Sequence, residues 1–233
     1  MTLENMQVAL IVGVGDGLSA SLARKLSSVG LEVALAARNI EKLSGLLAQV
    51  NGKAFECDAS KADQVQLLFE RVLEQFGVPD VVVYNPSARI RGPVADLDAS
   101  QVERALAVTA FGAFLVAQAS ARLMIARGSG VILFTGASAG IKGFAESAPF
   151  AMGKFALRGL SQSLARELGP KGIHVAHVVI DGAIRGSHNA DRVHSSDSVL
   201  DPDAIADAYL HVISQPRSAW THELDLRPWV ERF

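Results

Sequence analysis

Gly13, Gly15 and Gly17 stand between an apolar run, Val8–Val12, and a stretch in which Leu18, Leu22, Ala23 and Leu26 recur at helical spacing. A strand, a glycine turn and a helix start in that order form an anion site. Without Cβ atoms the backbone approaches a phosphate closely, and free N–H groups and the helix dipole point at it. Gly15, Gly17 and Ala20 fit the G-x-G-x-x-A form of the dinucleotide fingerprint. Gly13, Gly17 and Ser19 fit a looser spacing with Ser in the last position, and a plain tight turn accommodates the same residues. Leu18, at the helix start, joins the three glycines among the residues expected at the cofactor. The second apolar run, Val33–Ala37, ends without the acid that would bind a ribose 2′-OH. Arg38 stands there instead, and a guanidinium pairs with a 2′-phosphate as a charge-assisted fork, which favours NADP(H) over NAD(H).

The elements that must hold these groups alternate along the chain. Short β-branched or aliphatic runs at Val8–Val12, Val33–Ala37, Ala54–Cys57, Val81–Tyr84, Val131–Thr135, His174–Ile180 and Glu223–Leu226 read as strands. Helices are expected after the glycine turn, over Ile40–Val50, Ala62–Phe76, Ser100–Arg127, Pro149–Leu168 and Asp203–Ile213. Ser100 and Glu103 spell a capping box for the long helix, and Ser147 is expected to cap the next one. Gly136–Ala148 reads as a loop. The fold class is therefore α/β, a single doubly wound parallel sheet, Rossmann-like, with helices on both faces. Residues 1–233 are expected to make one dinucleotide-binding domain, with the polar segment Asp181–Asp201 covering the substrate. Ligands of such sheets bind beyond the carboxyl ends of the strands.

With 49% hydrophobic residues, 20% charged residues and a net charge of −2, the chain is neither disordered nor suited to nucleic acid. Its one cysteine, Cys57, cannot make an internal disulfide, which suits a cytoplasmic protein. The segment MTLENMQ lacks the basic start of a signal peptide. No apolar run reads as long enough to span a bilayer, so no membrane partner is expected. His174 and His177, three apart on a strand, point to opposite faces, and no metal site is expected.

The order of motifs resembles the short-chain dehydrogenase/reductase family over nearly the whole chain. The resemblance rests on the turn Gly13–Ser19, Cys57-Asp58, Tyr84-Asn85, Gly136–Ser138, Lys154 and Asp181-Gly182. It implies an NAD(P)-dependent oxidoreductase with a small-molecule substrate. It also implies a homodimer or homotetramer joined through the helices Ser100–Arg127 and Pro149–Leu168. By the same resemblance Asp58, Asn85, Lys154, Asp181 and Gly182 are expected at the cofactor, with Asp58 near the adenine. Asp58 equally suits a cap for the helix that follows it.

Catalysis in that family uses a Tyr and a Lys four apart on one helix face, with a Ser and an Asn. The ammonium lowers the phenol pKa of about 10 towards neutrality, so that the ring can exchange a proton beside hydride transfer. Here the Tyr position is Phe150, the Asn position is Thr109, and the Ser position is Ala137 with Ser138 next to it; Lys154 alone is retained. Phe150 has no proton to give. Asn85-Pro86-Ser87 stands for Asn-Ala-Gly, Asp181-Gly182 for Pro-Gly, and Gly186-Ser187 where a Thr is expected. Three readings follow. One is an NADP(H)-dependent oxidoreductase with an altered relay, its proton coming from Ser138, Asp181, His188, His194 or water, acting on a carbonyl, an alcohol or a conjugated alkene. Another is a catalytically silent dinucleotide-binding protein. The last is a non-redox enzyme on the same fold, which the retained glycine turn disfavours. Arg89 and Arg91, after the fourth strand, are expected as exposed charges or as contacts to an anionic substrate.

Overall fold

The computed structural model describes residues 5–186 and 198–231. The apolar runs pair into a sheet because, buried on both faces, they leave their backbone groups no partner but one another. The strands are β1 (Val8–Val12), β2 (Glu32–Ala37), β3 (Gly52–Glu56), β4 (Val81–Tyr84), β5 (Gly130–Thr135), β6 (Ile173–Ile180) and β7 (Glu223–Leu226). They form one seven-stranded sheet in the order β3-β2-β1-β4-β5-β6-β7. Every pairing is parallel.

The helices are α1 (Leu18–Ser28), α2 (Ser44–Leu47), α3 (Ala62–Phe76), α4 (Ala99–Leu106), α5 (Gly112–Arg127), α6 (Ala148–Leu168) and α7 (Pro202–Ile213). Alternate strand residues feed two separate cores. Ala9, Ile11, Val81 and Val83 pack with residues of α1 and α7, whereas Leu10, Val12, Val82 and Tyr84 pack with α3, α5 and α6. Chain order reverses across β1, which lies between β2 and β4, so the carboxyl ends of β1 and β4 diverge into a crevice.

Four local expectations need correction. The segment Ile40–Val50 is not one helix: a 3₁₀ turn over Glu41–Leu43 leads into a single α-turn, Ser44–Leu47. Gly45 in its middle and only Leu43 and Leu46 buried leave little to stabilise a longer helix. The long helix is capped by Asp98, whose carboxylate accepts from the N–H groups of Ser100 and Gln101 and from the Ser100 hydroxyl. Ser100 spends its hydroxyl on Asp98, so Ser100 and Glu103 form no capping box. A π turn, Ala107–Phe111, separates α4 from α5. At α6 the Ser147 side chain makes no capping hydrogen bond.

By length and composition Ala99–Arg127 is able to cross a bilayer, contrary to the expectation from the sequence. In the fold its α5 part buries Ala113, Val116, Ala117 and Met124 among the strand residues of the sheet.

Candidate functional site

The glycine turn leaves β1 at Gly13, whose φ of +83° favours glycine. A Cβ there would lie 2.6 Å from the Pro86 ring, so Gly13 also lets the loop after β4 approach. The buried Ser19 hydroxyl donates to the Gly13 carbonyl (3.0 Å) and accepts from Asn85 Nδ2 (2.6 Å). Ser19 and Asn85 thus tie the start of α1 to the ends of β1 and β4. Gly15 and Gly17 differ: Cβ atoms there would meet nothing within 4 Å, so the space above the turn is open. No side chain caps α1, and its first-turn N–H groups have no side-chain acceptor. The Leu18 side chain is buried in the core, leaving only its backbone for a ligand.

A cavity of about 310 Å³ opens beside this turn, and Gly13, Arg38, Asp58, Asn85 and Pro86 are among its lining residues. The structure therefore gathers four of the expected cofactor residues, from the ends of β1, β2, β3 and β4. Burial raises the Asp58 pKa, but the hydroxyl and N–H of Ser60, with Arg38 and Lys61, outweigh it and hold the carboxyl below its ordinary value. Asp58 does not cap α3, whose N-cap residue is Lys61. Cys57 also lines the cavity, and burial, reinforced by Asp58 and Asp63, pushes its thiol up to about 11. An open glycine turn, a free helix start and an arginine on one cavity suit a dinucleotide phosphate.

The second cluster lies around α6. Its i, i+4 spacing brings Phe150 and Lys154 to the same side, with Lys154 Nζ 5.8 Å from the Phe150 ring centroid. Lys154 is 2% exposed and donates to the Thr135 carbonyl at 2.7 Å. Burial, and secondarily the charge of Arg89, push it down to about 7. Phe150 packs with Ala137 and Ala139 on either side of Ser138. Thr109, in the π turn, is buried against Gly153, where a Cβ would lie 2.9 Å from Thr109 Cβ. Thr109 Oγ1 accepts from the Ala88 N–H at 3.0 Å. The π turn is held from beneath by the Tyr84 hydroxyl, which donates to the Val108 carbonyl.

Asp181 and Gly182 do not line the cavity. Asp181 lies 3.8 Å from Arg227, and Gly182, at φ +152°, would bring a Cβ within 2.8 Å of Pro228. Their side of the fold is built around β7 and the chain after it. His188, His194 and Ser187 lie outside the described residues, as does most of the segment expected to cover the substrate. His174 stacks on Trp220, while His177, on the opposite core face, is hydrogen-bonded to Glu223. Among the described residues no group of His, Cys, Asp and Glu is arranged to hold a metal.

The sequence reading missed the seating of Arg89 on Phe150, with Cζ 4.4 Å from the ring centroid. It also missed the Arg158–Glu223–His177 chain beneath α6. Arg89 carries a signal in its place after β4, but its register against α6 depends on the loop path.

A family model described as short chain dehydrogenase matches residues 7–195. An uncharacterized oxidoreductase of Staphylococcus aureus (strain N315) is 27% identical, over 98% of this chain and all of that one. A short-chain dehydrogenase from Rhodopseudomonas palustris is 33% identical, with a TM-score of 0.85 over 96% of this chain and 99% of the other. A metagenomic short-chain oxidoreductase solved in complex with NADP is 28% identical, with a TM-score of 0.84 over 97% and 98% of the two chains.

Proposed function

The chain belongs to the short-chain dehydrogenase family, and from that premise we propose that it is an NADP(H)-dependent oxidoreductase with an altered proton relay. Its substrate is a small carbonyl or alcohol compound or a conjugated alkene. The observation that carries the cofactor reading is the cavity at the β1/β4 crevice, where Arg38 stands at the end of β2 in the place of the acid that would bind a ribose 2′-OH. The NADP complex of the metagenomic relative supports the same choice.

Bound there, the nicotinamide supplies a hydride donor or acceptor. The chain's own residues divide the remaining work. Backbone N–H groups at Gly15, Gly17 and Leu18 receive phosphate, and Arg38 pairs with the 2′-phosphate. Lys154 borders the reaction site and binds ribose, while Phe150 fills the place of the family's tyrosine without a proton to pass. Ser138, beside Phe150, or water would then deliver the proton.

The buried, inert thiol of Cys57 suits a cytoplasmic protein. The exposed Phe111 of the π turn and Phe114 of α5, with Met152 and Phe155 of α6, suit a homodimer or homotetramer built on these helices. Titration of protein fluorescence with NADPH and with NADH tests the cofactor reading. NADPH is expected to bind the more tightly, and Arg38→Ala to weaken it roughly tenfold or more, as for a lost charge-assisted pair. NADH affinity should stay nearly unchanged. Binding of neither cofactor would overturn the reading.

A further inference from the structure

We propose that His177 is a positioning residue for Lys154: its ring, clamped by Glu223 and Arg158, fixes the end of β5 whose carbonyl holds the Lys154 amine. The inference rests on the reading above only for the part Lys154 plays in binding the cofactor. Its ground is a row on α6. Phe150, Lys154 and Arg158 stand four apart and so share one face of the helix. Lys154 reaches β5, where Nζ donates to the Thr135 carbonyl at 2.7 Å. Arg158, one turn on, reaches β7, where Nε and Nη2 donate to the two oxygens of Glu223 at 2.8 and 2.5 Å. His177 of β6 is wholly buried and touches both ends of this bracket. Its Nδ1 lies 3.0 Å from an oxygen of Glu223, its register partner on β7. Its other edge lies under Gly136, the residue after Thr135, where a Cβ would fall 2.3 Å from Nε2.

The links are fixed by their chemistry. Arg158 holds the Glu223 carboxyl below its ordinary value, so Glu223 is ionised and accepts. Nδ1 therefore carries the proton and donates. Nε2 faces Gly136 with no partner among the described residues. An apolar side chain would fill that space without orphaning a nitrogen. What the imidazole adds is the bond to Glu223, which ties the ring to the edge strand through a two-pronged, charge-assisted pair. Burial above all, with the charges of Lys154 and Arg158, outweighs Glu223 and lowers the His177 pKa, so the ring stays neutral. A neutral ring under Gly136 adds no charge against the Lys154 ammonium. The Gly136 N–H donates to the Val178 carbonyl at 2.7 Å, and Thr135 Oγ1 lies 2.7 Å from the Tyr209 hydroxyl. The Thr135–Gly136 step is thus held from β6 and from α7, and the His177 ring supports it on its remaining side.

A double-mutant cycle on NADPH affinity tests this. His177→Leu removes both the donor and the ring edge. It should weaken NADPH binding roughly threefold or more in the otherwise unaltered chain, but by less than about twofold in Lys154→Met. Equal weakening in both backgrounds, or none in either, overturns the proposal, since a merely structural loss would not depend on Lys154. His177→Asn keeps a donor toward Glu223 without the ring edge and should fall between. If His177→Leu proves unfolded by circular dichroism, Glu223→Gln loosens the same ring from the edge strand and takes its place with the same expectations. A second readout needs no cofactor: NMR titration of the lysine side chains, with the Lys154 signal identified by its loss in Lys154→Met. Burial, and then the charge of Arg89, hold that midpoint down to about 7. It should rise by roughly half a pH unit or more in His177→Leu, as the loosened end of β5 admits water to the amine. An unchanged or lower midpoint overturns the proposal. If NADPH does not bind, or Lys154→Met leaves its affinity unchanged, the cofactor reading falls instead, and the lysine titration alone decides the role of His177.

Discussion

Phe150 and Lys154 show how one missing hydroxyl changes the chemistry left to a site. A lysine that usually serves a phenol is here buried against an aromatic ring, and burial brings its own pKa to about 7. Restoring the phenol in Phe150→Tyr places a general acid four residues from that amine. Reduction of a simple ketone or aldehyde by NADPH should then rise by about 10²–10⁴-fold in kcat, the usual contribution of a positioned acid. The gain is read from NADPH absorbance under substrate saturation. An unchanged rate would mean that the Tyr position is not where the proton is needed.

Lys154 also makes a stability prediction with a definite sign. Between about pH 7 and about pH 10 the unfolded chain holds a proton on this residue that the folded chain lacks. Stability therefore rises with pH across that window, by at most about 1.4 kcal/mol per pH unit for one proton. Below about pH 7 both states hold the proton and this contribution no longer changes. Denaturant unfolding of wild type and Lys154→Met at several pH values in the window should show a shallower rise in the variant.

At the scale of elements, the strands and the longer helices were legible because their patterns report burial directly. Val81–Tyr84 is wholly buried as its apolar run implies, and Val65, Leu68, Phe69 and Val72 line the inner side of α3. What escaped is set by single contacts to distant parts of the chain. The π turn at Ala107–Phe111 meets the Tyr84 hydroxyl from another element, and helical periodicity does not reveal that. The cap of α4 was misread because Ser100 and Asp98 are both good caps and only their geometry separates them. Asp98→Ala should therefore lower the thermal unfolding midpoint, whereas Glu103→Ala should leave it nearly unchanged. The reverse order would restore the Ser100–Glu103 capping box.

For the whole molecule, the sheet order places the cavity, and alternation of apolar and polar segments made that architecture readable. The grouping of Gly13, Arg38, Asp58 and Asn85 on one cavity was legible for the same reason, since all four follow strands that end in one crevice. The approach of Arg89 to Phe150, and of the loop after β4 to Thr109 and Glu146, was less so, because it runs through loops and a π turn. The outer faces of α5 and α6 then raise a question of assembly. Phe111 and Phe114 are 50% and 41% exposed, and Met152 and Phe155 are 51% and 45% exposed. Large apolar side chains clustered on two neighbouring helices are costly to leave in water, and a second copy of the same surface can cover them about a two-fold axis. If the chain assembles there, Phe114→Asp with Phe155→Asp places like charges in the contact and should return the protein to its monomer mass of 24.6 kDa in light scattering. Thermal stability should fall with it, because the lost assembly no longer adds its binding energy to the fold. A double variant that keeps the wild-type mass would show that the subunits meet elsewhere. Since α6 also carries Phe150 and Lys154, the same variant shows whether assembly holds the site in shape: NADPH affinity measured on the monomer should fall only if it does.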